Sequence, residues 1–407
     1  GVTEGWQRGP LIGFAELVST GPFGSMLHKS DYVSDGVPLI NPTNIVGESI
    51  LPDREKQVGV EALSRLSSYV LKAGDVVVGR RGEIGRCAVV GADATGWVCG
   101  TGCFFIRPGL ATDPHFLAWL LRSPDYRDQL ERASTGATMK NMSNTTLAQL
   151  PVAIPEIGEQ RRIVAIFDEA FEAIATAKAN AEKNLQNATE LFAQHREVAL
   201  AGCADWDEAI LSSLCDIKHG YAFEGAYFAE QGDHVLLTPG SFHEIGGFRD
   251  RGDKTKYYTG PIPQAFVLNE GDLLVAMTEQ AAGLLGSPLL VPESGRYLHN
   301  QRLGRVIGKP GVPWLNEFFF HVFNLHHVRQ EIHASGSGAK VRHTSPGKIG
   351  AVRVRYPRSV DDQRALANRL VELSIECLLL ASVQERKITA LNELKQSLLH
   401  QAFSGQL

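Results

Sequence analysis

The stretch STGATMKNMS, Ser134–Ser143, is a polar loop of small residues around a Lys-Asn pair, and the two segments after it decide the fold. LPVAIP, Leu150–Pro155, reads as a buried strand bounded by proline, and EQRRIV, Glu159–Val164, opens a helical pattern. The chain then repeats itself: SGSGAKVRHTS, Ser335–Ser345, precedes GAVRVRYP, Gly350–Pro357, and DDQRALANRL, Asp361–Leu370. An offset of 202 residues lays Gly136 on Gly338, Lys140 on Arg342, Asn141 on His343, Ser143 on Ser345 and Pro155 on Pro357. An offset of 203 lays Gln160-Arg161 on Gln363-Arg364, and one of 197 pairs LKAGDVVV (Leu71–Val78) with LNEGDLLV (Leu268–Val275). The same offset of 197 pairs PLINPTNI with VLLTPGSF, and Trp6 has a counterpart in Trp206. Matched segments in one order, at slowly drifting offsets, mark a tandem duplication of about 200 residues, with too few copies for a solenoid.

Each copy is a run of short strands with turn signals, then a proline-bounded strand, then a long helix, so the predicted class is α+β. The boundaries fall at 1–155 and 205–357 for the two compact domains, and at 156–204 and 358–407 for the two helical spacers. Apolar residues recur at 3–4 spacing in both spacers: Ile163, Phe167, Ala170, Ile174, Ala177, Ala181, Asn184, Ala188 and Leu191 in the first. In the second the line runs through Leu366, Leu370, Leu373, Cys377, Leu380, Gln384, Lys387, Leu391, Leu394 and Leu398. This is a coiled-coil seam, expected to join the helices to each other, with Asn184 and Lys387 as polar residues that fix register. A helix of some 40 residues is a rod on the order of 60 Å. Two similar heads on antiparallel rods would suit a long ligand with its own near-two-fold repeat, and duplex DNA is the commonest.

With 407 residues, 43% of them hydrophobic and 21% charged, the chain can bury two or three cores and is not disordered. No run reaches the roughly 20 apolar residues that span a bilayer, and GVTEGWQRG lacks the basic start of a signal peptide, so a cytoplasmic location is expected. The six cysteines are scattered and read as buried thiols; Cys99 and Cys103 have a metal-like spacing with no second pair to complete it, so no metal and no cofactor is expected.

The net charge of −5 excludes a protein that coats nucleic acid indiscriminately, yet charge is unevenly spread. Between Arg296 and Arg355 stand ten Arg or Lys against Glu317 and Glu331. The first half is less polarised, with Arg80, Arg81, Arg86, Arg107 and Lys140 as its candidate cations. Gly136 and Gly338 would let backbone approach a ligand, and Lys140 and Arg342 would aim donors at phosphate oxygens or guanine acceptors. Asn141 in the first copy, and Asn300 and Gln301 in the second, have the amides suited to adenine. The candidate DNA-binding set is Arg80, Arg81, Gly136, Thr138, Lys140, Asn141, Asn300, Gln301, Arg302, Lys340, Arg342 and His343.

LPVAIPEIGEQRRIVAIFD after a Gly-Lys loop, its counterpart RVRYPRSVDDQRALANRL, and the C-terminal LNELKQSLLHQAFSGQL resemble the specificity subunit of type I restriction-modification enzymes over nearly the whole chain. The second copy departs from the motif by one extra residue after Pro357, by Asp362 in place of Glu159 and by Ala365 in place of Arg162. The resemblance implies two target-recognition domains, each reading one half of a bipartite, asymmetric DNA target. It implies helices that set the unread gap and dock modification (methyltransferase) subunits, which bring S-adenosylmethionine, and a restriction subunit that hydrolyses ATP. It also implies that the tail QAFSGQL packs near the start of the first domain.

Catalysis by the chain itself is not expected. Asn41-Pro42-Thr43 lacks the second proline and aromatic of an amino-methyltransferase motif, and no Gly-x-x-x-x-Gly-Lys-Ser/Thr phosphate loop is present. Pro52-Asp53 and Pro124-Asp125 have no acidic-x-Lys element near them, as a nuclease would require. A two-headed scaffold for protein partners is the alternative, and it would bind without the steep salt dependence that phosphate neutralisation imposes.

Overall fold

The computed structural model describes all residues except 1–4, 24–25, 82–83, 135–141, 203, 281, 405 and 407. The chain divides into two compact units, one made of residues 1–182 with 385–407 and the other of residues 183–384.

The first unit begins with β1 (Gln7–Pro10), β2 (Ala15–Thr20), β3 (Tyr32–Val33), β4 (Val37–Ile40) and β5 (Gln57–Val58). Next come β6 (Val76–Gly79), β7 (Cys87–Val89), β8 (Val98–Cys99), β9 (Cys103–Pro108) and, after the helices α1 (Pro114–Arg122) and α2 (Pro124–Ala133), β10 (Pro151–Ile154). Strands β2-β9-β6-β7 form an antiparallel sheet, with Phe104 opposite Val78 and Ile106 opposite Val76. A second sheet has the order β8-β4-β5-β3, with β8 parallel to β4, and β1 pairs with β10. The run Val76-Val77-Val78 is buried on both faces: Val76 and Val78 pack under α1 with Phe104 and Phe116, and Val77 packs with Phe105 on the other side. That two-sided burial is why the strand reads as a continuous apolar run rather than an alternation.

The second unit repeats this order with β11 (Asp207–Ile210), β12 (Cys215–His219), β13 (Phe228–Ala229), β14 (His234–Leu236), β15 (Tyr257–Tyr258) and β16 (Leu273–Ala276). It continues with β17 (Thr278–Glu279), β18 (Pro288–Leu290), β19 (Tyr297–Leu298), β20 (Leu303–Gly308), α4 (Asn316–Phe323), α5 (His326–Ala334), β21 (Arg342–His343) and β22 (Arg353–Tyr356). Its sheets are β12-β20-β16-β18, β13-β15-β14-β19, the pair β11-β22 and the pair β17-β21. The first three match the sheets of the first unit strand for strand, so the duplication in sequence is a duplication of topology.

Two helices complete the units, α3 (Ile157–Ala199) and α6 (Val360–Phe403). In the first unit the start of α3 packs on the end of α6, with Ile163, Phe167, Phe171 and Ile174 in one core with Leu399 and Ala402. In the second the end of α3 meets the start of α6, with Leu200 in one core with Ala367 and Leu370. The helices therefore pair antiparallel. The tail behaves as the resemblance implied: the Phe403 ring lies 5.6 Å from Phe116, which lies 5.9 Å from Trp6. Trp206 repeats the latter contact on Phe318 at 6.0 Å.

The Gln-Arg motif at each helix start has a structural cause. Gln160 is fully buried; its Nε2 donates to the carbonyls of Ala111 (2.8 Å) and Pro155 (2.7 Å), and its Oε1 accepts from the Asp113 amide (2.7 Å). Gln363 donates in the same way to Pro313 (2.9 Å) and Pro357 (3.0 Å). One buried amide thus ties each long helix to the loop before α1 or α4 and to its own entry strand.

The seam differs from the expected line. Asn184, Leu191, Leu380, Lys387 and Leu394 are exposed, and Gln384 is half-buried, with its Oε1 shut off from solvent and without a partner among the described residues. Phe167, Ile174, Ala181 and Ala188 stay buried at every seventh position, so the contact follows one residue per heptad and leaves Asn184 and Leu191 of the alternate line exposed. No helix among the described residues is long and apolar enough to cross a membrane.

Candidate nucleic-acid interface

In the second unit two separate sequence features converge on the end of the central strand β16. The amide of Met277 donates to the carbonyl of Arg302 (3.1 Å), and the carbonyl of Met277 accepts from the amide of Thr344 (2.9 Å). One backbone unit thereby joins the turn holding Asn300, Gln301 and Arg302 to the loop Ser335–Ser345. The first unit is built in the same way, for Arg80 donates to Gly102 (2.9 Å) and accepts from Met142 (3.3 Å).

The second loop is held by ions. Thr278 and Glu279 in β17 pair antiparallel with His343 and Arg342 in β21. Glu279 is 2% exposed, and its Oε2 accepts from the amides of Leu284 (2.9 Å) and Leu285 (3.0 Å). Its Oε1 lies 3.1 Å from Arg342 Nη1 and 3.2 Å from His333 Nε2. Arg342 Nη2 also donates to the His333 carbonyl at 2.6 Å. Gly338, at φ +116°, closes the turn where a Cβ would meet the Val341 carbonyl at 2.1 Å, so no side chain fits. Ser337 and His343 exchange backbone hydrogen bonds of 2.9 and 2.8 Å.

This geometry sorts the sequence-predicted residues. Lys340, His343, Gln301 and Arg302 are exposed. His343 Nδ1 lies 3.1 Å from Thr278 Oγ1, which orients its ring. Arg342 is half-buried in the ionic cluster and braces the loop. Asn300 is buried, and its Oδ1 accepts from the Arg302 amide at 3.0 Å, so its side chain shapes the turn. In the first unit Arg80 is half-buried with its guanidinium 5.4 Å from the Phe104 ring, and Arg81 is exposed. Burial, then the neighbouring Arg81 charge, lowers the Arg80 pKa. Gly136, Thr138, Lys140 and Asn141 lie outside the described residues.

The cationic window counted from Arg296 to Arg355 is largely neutralised in three dimensions, which corrects the sequence expectation. Arg296 pairs with Glu293 (3.2 Å), Arg305 with Asp272 (2.8 Å), Lys309 with Asp216 (3.8 Å) and Arg353 with Glu208 (3.6 Å). All four carboxylates come from outside the window. Arg302 and Lys340, both exposed, are left with no ion pair among the described residues. Sequence reasoning missed two members of the site: Glu279, and Tyr221, whose 38%-exposed ring sits on a backbone segment that accepts from the Gln301 amide at 3.0 Å.

Among the described residues no group of three or more His, Cys, Asp or Glu could hold a metal ion. The described cysteines Cys87, Cys99, Cys103, Cys215 and Cys377 are free thiols, all buried.

Comparison with known proteins places this architecture. Residues 4–186 match the type I restriction modification DNA specificity domain. The chain is 23% identical over 203 residues to the StySPI type I restriction enzyme specificity subunit of Salmonella potsdam, a match covering 49% of this chain and 42% of that one. It is 22% identical over 432 residues to the EcoKI specificity subunit of Escherichia coli (strain K12), covering 99% of this chain and 89% of that one. The chain thus spans less than half of the first relative and most of the second. A chain solved in work on the complex assembly and conformational transition of a type I R-M system superposes with a TM-score of 0.77 at 18% identity, covering 100% of both chains.

Proposed function

We propose that this chain is a specificity subunit of a type I restriction-modification system and reads a bipartite, asymmetric duplex DNA target, one half with each unit. The observation that carries the reading is the shared construction at Arg80 and Met277 with different side chains around it. Two heads of one design but different lining suit two half-sites of different sequence. Exposed Arg81 in the first unit, and Gln301, Arg302, Lys340 and His343 in the second, are the proposed DNA contacts. Asn141 is proposed for the first by its alignment with His343, and Lys140 as the cation beside it in the same loop. Arg302 and Gln301 can donate to guanine or pair with adenine from one turn, whereas Lys340 supplies a point charge for phosphate.

The proposed partners are modification subunits and a restriction subunit, which bring the methyl transfer and the ATP-driven cleavage; this chain contributes recognition and scaffolding. An apolar stripe on α6 supports the docking role. Val371, Ile375, Leu378, Leu379 and Val383 are 46–66% exposed and fall at helical spacing on one face. A stripe of that kind rimmed by polar residues marks a protein contact. The test is binding of labelled duplex by the chain with its modification subunit across a salt series. DNA recognition predicts affinity that falls steeply with salt, with slope about −0.9 per phosphate neutralised. A flat response would favour a scaffold for proteins alone.

A further inference from the structure

We infer that a cleft of about 460 Å³ in the second unit, between the last turns of α3, the Glu244–Ile245 loop and the start of α5, binds an oxyanion through Arg196 and Arg329. The inference is independent of the DNA reading.

Arg196 is 9% exposed, and its side chain makes no hydrogen bond and no ion pair among the described residues. Its guanidinium lies 5.6 Å from the Phe192 ring, and its Nε is shut off from solvent with no acceptor. A buried charge without a partner is costly, and native interiors avoid it unless something binds there. The neighbouring guanidinium makes the need greater. Arg329 donates through Nη2 to the carbonyls of Glu244 (3.0 Å) and Gly283, which leaves its Nη1 unpartnered. Burial, then repulsion from Arg196, holds its pKa down to about 10. His321, 4% exposed, adds a third unpartnered nitrogen, Nδ1, and its pKa is pushed to about 4 by burial and by Arg196. Two like charges and an imidazole have thus been brought together, each with a nitrogen that is shut off from solvent and has no partner among the described residues.

The rest of the lining defines the ligand. Glu197 and Glu244 also border the cleft, and a Glu197 oxygen accepts from the His326 amide at 2.6 Å. These two carboxylates would repel the continuous charge of a nucleic-acid backbone. They leave room for one compact anion whose oxygens match the fork of a guanidinium: inorganic phosphate or sulfate, or the carboxylate of an acidic side chain from another protein.

The experiment is thermal unfolding of the full chain in sodium phosphate, sulfate or acetate against chloride at equal ionic strength. Wild type is compared with Arg196→Met, which keeps the volume and removes the charge. Subtracting the variant removes the general stabilisation that phosphate and sulfate give any protein. An oxyanion at ten times its Kd is expected to raise the wild-type Tm by about 3–6 °C more than the variant's. In chloride the variant should melt no lower than wild type, because it lacks the uncompensated charge. A larger shift with phosphate and sulfate than with acetate assigns the site to a free tetrahedral ion, and an equal shift with acetate assigns it to a carboxylate. Identical responses of wild type and variant to all three ions would overturn the inference. Should Arg196→Met fail to fold, Arg329→Gln makes the same comparison.

Discussion

Truncating Glu279 separates two roles for Arg342. The Glu279 side chain is 1% exposed and that of Arg342 29% exposed, so Glu279→Ala leaves a half-buried guanidinium without its carboxylate and the Leu284 and Leu285 amides without their acceptor. Removing one partner of a buried pair costs about 3–5 kcal/mol, and each orphaned amide about 1–3 kcal/mol. Water reaching Arg342 and relaxation of the 284–285 turn offset part of this, which leaves a net loss of about 3 kcal/mol. For a unit of this size that is a fall in Tm of about 6–12 °C, read by calorimetry. If Arg342 braces the loop, Glu279→Ala and Arg342→Ala each weaken binding to the second half-site. The double variant then binds no worse than the weaker single, a coupling of about 1–2 kcal/mol in the cycle. The measurement is fluorescence anisotropy on duplexes carrying the second half-site, in each of the four backgrounds. A Glu279→Ala variant that binds as tightly as wild type, beside an Arg342→Ala variant that loses affinity and one unit of salt slope, would refute the bracing role and make Arg342 a direct DNA contact.

The same geometry sets other expected outcomes. Lys340→Ala should weaken binding of all sequences alike and reduce the salt slope by about 0.9, while Lys140→Ala should act only through the first half-site; both are read by titration across a salt series. Gln160→Leu strips the acceptor from the Asp113 amide and the donor from two carbonyls, and should cost about 2–4 kcal/mol in denaturant unfolding. His299 and His321 are both held near pKa 4 by burial, below the 6.5 of the unfolded chain. The unfolded state therefore binds their protons first, so stability is level above pH about 6.5 and declines on acidification to about 4, by about 3 kcal/mol for each. His321→Phe should remove one such share from the pH profile of unfolding. Leu379→Asp should abolish capture of the modification subunit in size-exclusion chromatography while leaving the Tm within about 2 °C of wild type, since Leu379 is 61% exposed.

The duplication and the helix pairing were legible because they rest on patterns the chain writes twice. Gln160 and Gln363 recur because each is a buried amide donating to two backbone carbonyls, and Gln160 also accepts from the Asp113 amide. Trp6 and Trp206 recur because each packs on the first aromatic of the helix that comes after the main sheet, Phe116 or Phe318. What could not be read depends on pairings between distant segments. The ionic brace of Arg342 exists only because β17 and β21 lie side by side, and the offset of 197 that pairs LKAGDVVV with LNEGDLLV lays Glu279 on Gly82, so the first copy does not repeat that carboxylate. A charge count within one window could not see carboxylates delivered by Asp216, Glu208, Asp272 and Glu293. The seam departed from expectation at Asn184 and Lys387 because only one line per heptad, through Ala181 and Ala188 in the first helix, is buried there, and a local 3–4 count cannot tell which of its two lines that is.

The decisive experiment for two-headed recognition is selection from a random duplex library by the chain co-purified with its modification subunit, with sequencing of the bound DNA. The expected result is a consensus of two different blocks separated by a fixed gap. One block alone, or no enrichment by a folded complex, would contradict a bipartite reading.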